Sequence, residues 1–227
     1  MGIHDGHRER LRAGFIENGL DGFNELNSLE LLLFYAIPRR DTNAIAHELL
    51  ERFGSLDGVF SASIQELMSV SGIGETAAAL IRLTPEIMRK SCINKAAENK
   101  VITTSNQAGK YLAPRFLYEK DEVLLLVCLD SQKRVISCVE LNRGVVNSVE
   151  ANVRRIVETA LRYRASSVII AHNHPDGVAL PSREDDYVTQ QVSSALHSVG
   201  IPLVDHIIVA GDDFVSYADS GMLMLYR

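Results

Sequence analysis

Residues 122–130 read EVLLLVCLD, an apolar run with no polar residue between Glu122 and Asp130. A strand exposed on one face alternates apolar and polar side chains, so an unbroken run describes a strand buried on both faces. Such a strand needs a packing layer above and below it. That requirement places the second half of the chain among folds that pack helices on a mixed sheet. The surrounding sequence supplies the other parts. Residues 130–133 (DSQK) read as a turn and 134–141 as a second strand, giving a hairpin. An amphipathic helix is expected over 151–163, a short apolar strand over 166–171 (SSVIIA), a helix over 183–199, and strands over 201–210 and 213–217. In the register set by the turn, Cys128 falls opposite a residue near Val135, so no Cys128–Cys138 bridge is expected.

The first half has a different texture. Helical periodicity over 7–18 stops near Gly19. Asn27 or Ser28 can cap a helix over 29–37 that Pro38 ends, and Asp41 or Thr42 can cap the next, which runs to Phe53. Ser63-Ile-Gln-Glu66 has the capping-box pattern. An Ala-rich helix follows over 76–90, which Pro85 should kink or split. The polar stretch CINKAAENKVIT reads as a linker, and Thr104 or Ser105 begins a helix to about Tyr118. The expected organisation is α+β: an all-α domain over 1–92, a linker over 93–103 and an α/β domain over 104–227.

Composition removes several function classes. At about 100–200 residues per domain, 227 residues allow one large domain or two small ones. Hydrophobic residues at 46% and charged residues at 23% exclude a disordered or low-complexity chain. The net charge is −6, with 11 Lys and Arg against 14 Asp and Glu in the first 100 residues and 12 against 15 in the rest. Neither half has the basic stripe that nonspecific nucleic-acid binding leaves, which argues against DNA binding as the main activity. No apolar run approaches the roughly 18–20 residues of a membrane span, so no membrane partner is expected. The N-terminus lacks the apolar segment of a secretory signal. Three cysteines with no CxxC pair suit a reducing compartment, and a cytoplasmic location is expected.

The chemistry concentrates in His172-Asn-His174-Pro-Asp-Gly-Val-Ala-Leu-Pro-Ser182-Arg-Glu-Asp185. It follows directly on the strand over 166–171, and such strand ends commonly carry sites. Two histidines two residues apart at a strand end share a face and reach one ion. Pro175, Gly177 and Pro181 impose an irregular loop. Ser182 then starts a helix whose first turn brings Asp185 back to the imidazoles. Two neutral imidazole nitrogens and one carboxylate oxygen form a common zinc set with an open fourth position. Alone, Ser182-x-x-Asp185 is a helix cap and a histidine at a strand end is an ordinary polar residue. The compound pattern is what points to a metal.

His-x-His, seven residues, then Ser-x-x-Asp resembles the JAMM (MPN+) metalloprotease motif. The chain is similar to the RadC (UPF0758) family in particular. The likeness runs through HNHP-x-G, the preceding ELNRGVVNSVEANVRRIV, the following VDHIIVAGDDFVSYADSG, and NSLELLLFYAI, ELLERFGSL and GIG in the N-terminal half. The resemblance implies a cytidine-deaminase-like JAMM domain with Zn2+ held by His172, His174 and Asp185. It implies a general-base glutamate on an early strand, about 45–50 residues before the first histidine. Glu122 stands 50 before His172 and fits; Glu140 and Glu150 are rivals. It further implies that Glu122 takes the proton of a zinc-activated water, that Ser182 donates to the oxyanion, and that a peptide or isopeptide bond is cut. The chain departs from the JAMM peptidases at Asn173, where Ser or Thr is usual, and from RadC proteins at Asp176, where Ser is more frequent.

Val70-Ser-Gly72-Ile-Gly74 resembles a helix-hairpin-helix, whose glycines let backbone N–H groups approach a phosphate. Gly72 and Gly74 are therefore candidate nucleic-acid contacts, and a DNA-associated repair or recombination accessory role is the alternative reading. Glu75 directly after the hairpin opposes a phosphate, which favours a structural hairpin. Asp205 and His206 read first as core packing or a surface pair and second as support for a ligand. His4, His7, His47 and His197 read as surface residues, and Arg154 and Arg155 as solvent-facing.

Overall fold

A computed structural model describes residues 3–98, 101–144, 149–175 and 177–226. The chain divides into two compact units, Met1–Met88 and Arg89–Arg227. The fold is α+β: helices in the first unit, and a five-stranded mixed sheet with helices in the second.

The first unit holds α1 (Ile3–Asn18), α2 (Glu25–Ala36), α3 (Asn43–Phe53), α4 (Leu56–Ser61) and α5 (Ile64–Met68), followed by α6 (Glu75–Ala97), which continues into the second. Its core gathers Leu29, Leu33, Leu49, Val59, Leu67 and Ile81, all fully buried. Each buried Leu contributes about 1.5–3 kcal/mol. The cap of α2 is Asn24, whose side chain accepts from the Asn27 N–H, so the helix begins earlier than Asn27 or Ser28 would allow. Asp41 rather than Thr42 does the work at α3: its Oδ1 accepts from the Asn43 N–H at 3.0 Å. Ser55 caps α4, a helix of six residues too short to show periodicity. The capping box of Ser63 and Glu66 forms as read. Helix α6 is not split at Pro85, and it extends to Ala97, so the expected linker over 93–103 is helical at its start. Lys95, Ala96 and Ala97 are good helix formers with no breaker among them. His7 is not a plain surface residue, because its Nε2 lies 3.1 Å from the buried carboxylate of Glu30, which Asn43 also bonds.

Gly72 adopts φ +91°, and a Cβ there would lie 2.8 Å from Ile45 Cδ1. Backbone conformation and close approach to α3 both require glycine. Ile73 is buried in the same core, so the hairpin packs the helical unit. Gly74 is exposed.

In the second unit α7 (Ser105–Leu112) carries a capping box between Thr104 and Gln107. It ends before Tyr118 because Pro114 lies in the following 310 turn and has no N–H to continue the ladder. Then come β1 (Val123–Leu129), β2 (Val135–Arg143), α8 (Val149–Arg162), β3 (Ser167–Asn173), α9 (Arg183–His197), β4 (Leu203–Ala210) and β5 (Asp213–Ser216). The strand order is β2-β1-β3-β4-β5, with only β3 and β4 parallel. Strand β1 is covered on both sides. Leu126, Cys128, Val168, Ile170 and Ile208 pack on Ile156 and Ala160 of α8 and Val192 and Leu196 of α9. Leu125, Val127, Ile169, Ala171 and Ile207 pack on Ala108, Tyr111 and Leu112 of α7.

Two bulges in β2 shift the hairpin register. Cys128 stands opposite Ser137, not near Val135, because an irregularity separates Cys128 from Leu129. Cys138 faces Val127 instead, and all three cysteines are free. The second bulge leaves Leu141 between the partners of Leu124 and Leu125. The Arg155 guanidinium donates to the Leu141 carbonyl. Arg155 thus serves the sheet, while Arg154 is exposed and pairs with Glu158. No helix among the described residues is long and apolar enough to cross a membrane.

Candidate metal centre

The period of β3 positions His172. Val168, Ile170 and His172 alternate onto the face covered by α8 and α9, and Leu124 of β1 is the direct partner of His172. The strand runs to Asn173, so His172 lies inside it, 3% exposed, rather than past its end. His174 follows immediately, tied to β4 by its N–H, which donates to the Val209 carbonyl at 2.8 Å. Asp185 arrives from the first turn of α9. There the Ser182 hydroxyl accepts from the Asp185 N–H at 3.1 Å, and the Ser182 N–H donates to Asp185 Oδ2 at 2.8 Å. This reciprocal cap fixes the carboxylate by local geometry alone.

The three groups converge. His172 Nε2 lies 3.0 Å from His174 Nε2 and 3.0 Å from Asp185 Oδ1, and His174 Nε2 lies 3.5 Å from Asp185 Oδ2. Ligands held tetrahedrally at about 2.0–2.1 Å from zinc stand about 3.3 Å apart, so these spacings fit such an ion. Among the described residues they form the group of His, Cys, Asp and Glu whose donor atoms all lie within 4.8 Å of one another. His174 Nδ1 lies 3.0 Å from the Val178 carbonyl. A carbonyl only accepts, so Nδ1 carries the proton and the neutral ring keeps a lone pair on Nε2, facing the other two donors. Burial pushes the Asp185 carboxyl up. Its contact with His172 and the Ser182 N–H and hydroxyl outweigh this and hold it well below the usual carboxylate range.

Glu122 precedes β1, and its carbonyl accepts from the Gly144 N–H at 2.8 Å. Its side chain is exposed and lines one pocket with His172, Asp185, His206, Asn142 and Asn152. Glu140 takes the opposite face: it pairs with Leu125, which belongs to the core against α7, and it bonds Arg143. Glu150 is in α8, and its side chain and all of Asp176 lie outside the described residues. His47 and His197 are exposed; the side chain of His4 lies outside the described residues.

His206, read second as support for a ligand, does contact His172, whereas the contacts of Asn173 and the place of Asn152 went unread in the sequence. His206 is not plain core packing: its Nε2 lies 2.9 Å from His172 Nδ1, and its Nδ1 lies 2.7 Å from Thr189 Oγ1. Burial, then the neighbouring His172, hold its pKa well below the ordinary value. Asp205, on the other face of β4, accepts from Ser216 Oγ and the backbone N–H groups of His206 and Ala218. Asn173 bonds backbone on both sides of Glu122. Its Oδ1 accepts from the Val123 N–H at 2.7 Å and its Nδ2 donates to the Asp121 carbonyl at 3.0 Å. Asn152, 7% exposed on the buried face of α8 with Val153, Ile156 and Ala160, left a detectable signal: a polar residue on a buried helix face.

Comparison with known proteins gives likenesses of two kinds. Residues 102–222 match the model of the RadC-like JAB domain. A UPF0758 protein of Fusobacterium nucleatum subsp. nucleatum is 36% identical over 227 residues, which covers 97% of this chain and 98% of that protein.

Proposed function

This chain belongs to the RadC-like JAB domain family, and on that premise we propose that it is a zinc-dependent hydrolase of peptide or isopeptide bonds. The convergence of His172 Nε2, His174 Nε2 and the Asp185 carboxylate in a pocket that Glu122 also lines carries the reading. His172, His174 and Asp185 would hold the ion. When bound, zinc supplies Lewis-acid polarisation of a carbonyl oxygen and lowers the pKa of water to about 7.

The remaining work falls to the chain. Glu122, an exposed carboxylate at the pocket edge, accepts the proton of the attacking water and delivers it to the leaving amine. The Ser182 hydroxyl uses one lone pair to cap α9 and keeps its proton, which it donates to the oxyanion of the tetrahedral intermediate. Asn173 holds the backbone that carries Glu122. An extended polypeptide is the substrate class that suits an exposed carboxylate beside a small open pocket.

The test begins with elemental mass spectrometry of the purified full chain. About one zinc per chain is expected, and the His174→Ala variant should lose it. The Glu122→Gln variant should keep zinc and lose hydrolysis of a peptide and isopeptide library by about 10²–10⁴-fold. Equal metal in wild type and His174→Ala, or undiminished cleavage by Glu122→Gln, sinks the proposal.

A further inference from the structure

Two carboxamides beside the candidate metal centre have no partner. Asn142 of β2 and Asn152 of α8 line the pocket that Glu122, His172 and Asp185 share. Neither side chain makes a hydrogen bond among the described residues, although Asn142 is half-buried and Asn152 is only 7% exposed. Burying an unpaired amide is unfavourable, so such a group on a packed face calls for a reason beyond the fold. Two elements bring the pair to one place. Asn152 stands one turn before Ile156 and two before Ala160, so it continues the stripe of α8 that packs on the sheet. Asn142 pairs with Leu124 and Leu124 pairs with His172, which puts the three in one row across β2, β1 and β3. Strands lie about 4.8 Å apart, so Asn142 stands about 10 Å from His172 along the row.

The pocket limits what these groups can hold. Its volume is about 60 Å³, room for a few waters and far below the roughly 300–1,000 Å³ that a cofactor-sized ligand fills. Its walls carry two carboxylates, Glu122 and Asp185, and no lysine or arginine among the described residues, so an anionic group finds no cationic side chain there. A peptide unit is small and neutral, with one N–H donor and one C=O acceptor. A carboxamide offers the complementary acceptor and donor. An extended chain advances about 3.4 Å per residue, so about three residues span the distance from His172 to Asn142. We propose that Asn142 and Asn152 are substrate-contacting residues that bond the main-chain N–H and C=O groups of a neutral, extended segment about three residues long, leading away from the metal centre. This deepens the hydrolase reading above and rests on it for the substrate class. It places recognition in the substrate's main chain, so cleavage should tolerate many sequences that are uncharged near the bond.

The probe is the blocked tripeptide N-acetyl-trialanine N-methylamide, a neutral main chain with minimal side chains. It is titrated into the 15N-labelled full chain, once with excess chelator and once with an equivalent of zinc, and followed through the Asn side-chain NH2 signals. Those of Asn142 and Asn152, assigned by their loss in Asn142→Ala and Asn152→Leu, should shift saturably. Each variant should bind the peptide about 3–10-fold more weakly, the effect of one lost hydrogen bond. Asn152→Leu should also unfold at the same or a higher urea concentration than wild type, because burying an unpartnered amide destabilises the folded chain. A merely structural Asn152 would instead lower that midpoint and leave peptide affinity unchanged. Should Asn152→Leu not fold, Asn142→Ala, a truncation at a half-buried strand position, decides the matter. Signals that stay fixed in both titrations, or affinity within twofold of wild type in the variants, overturn the proposal. Failure of the wild type to take up zinc defeats the hydrolase reading instead, and the titration with chelator still decides the carboxamides.

Discussion

Asn173 Oδ1 accepts a hydrogen bond from the Val123 N–H at 2.7 Å, across 50 residues of chain. The same carboxamide donates to the Asp121 carbonyl at 3.0 Å, so one buried side chain brackets Glu122 from both sides. At this position a shorter hydroxyl side chain, as in the JAMM peptidases the motif resembles, offers one donor where the amide offers separate donor and acceptor groups. Replacing Asn173 by Ala leaves a buried N–H unpaired and should cost about 1–3 kcal/mol in urea denaturation. Amide exchange of residues 121–123 should accelerate in Asn173→Ala while zinc affinity stays within about threefold, because the three candidate ligands are untouched. Unchanged exchange at Val123 would remove the clamp.

Asp185 makes the pH dependence of the metal-free protein predictable. Its folded pKa lies below the usual value of about 3.9, so between the two values the unfolded chain binds more protons and stability rises with pH. The contribution is complete above about pH 4 and disappears as pH falls through the folded value. Asp185→Asn should therefore be less stable than wild type near neutrality, with the gap closing in strong acid. Chemical denaturation of both proteins at several pH values in the presence of a chelator measures this, and a gap independent of pH contradicts it.

Ser182 caps α9, and the proposed chemistry gives it a second, separable role. As a cap of α9, its replacement by Ala should lower stability by about 1 kcal/mol. As an oxyanion donor, the same change should lower kcat by about 10²–10³-fold once a cleaved substrate is in hand. Thermal or urea unfolding reads the first effect and steady-state kinetics the second. Stability loss with full turnover would reduce Ser182 to a helix cap.

The cysteines differ in reactivity. Burial, then the neighbouring Cys138, push the Cys128 thiol up to about 11, and burial likewise raises Cys138. Both remain thiols at pH 8, whereas the thiolate is the reactive form. Alkylation of native protein at pH 8 followed by peptide mass spectrometry should find Cys92, which is half-buried, modified well before the other two. All three should react in denaturant. Rapid native labelling of Cys128 would contradict the packed sheet face it occupies.

Much of the candidate metal centre was readable in the residues because its geometry is local. The two-residue period of a strand puts His172 beside His174, and the Ser182-x-x-Asp185 cap fixes a carboxylate in the first turn of a helix. The unbroken apolar run of β1 likewise announced a strand covered on both faces, and the core bears this out. Local signals were weaker at helix ends. Asn24 and Asn27 offer the same capping chemistry, and only the Asn24 side chain finds the Asn27 N–H.

What the sequence alone determined is therefore the α+β class, the strand-loop-helix that carries the histidines and the carboxylate, and the chemistry such a set suits. The tertiary structure decided which distant groups join them. Pairing of β1 with β3 sets Leu124 against His172 and brings Glu122 to the pocket, while pairing of Leu125 with Glu140 puts that glutamate on the opposite face. Parallel pairing of β3 with β4 sets His206 beside Ile170, on the face of His172, where Thr189 of α9 closes over it. Strand register and bulges are fixed by packing between segments far apart in the chain, and moving a strand by one residue exchanges its two faces. Nothing written within a single segment specifies that choice.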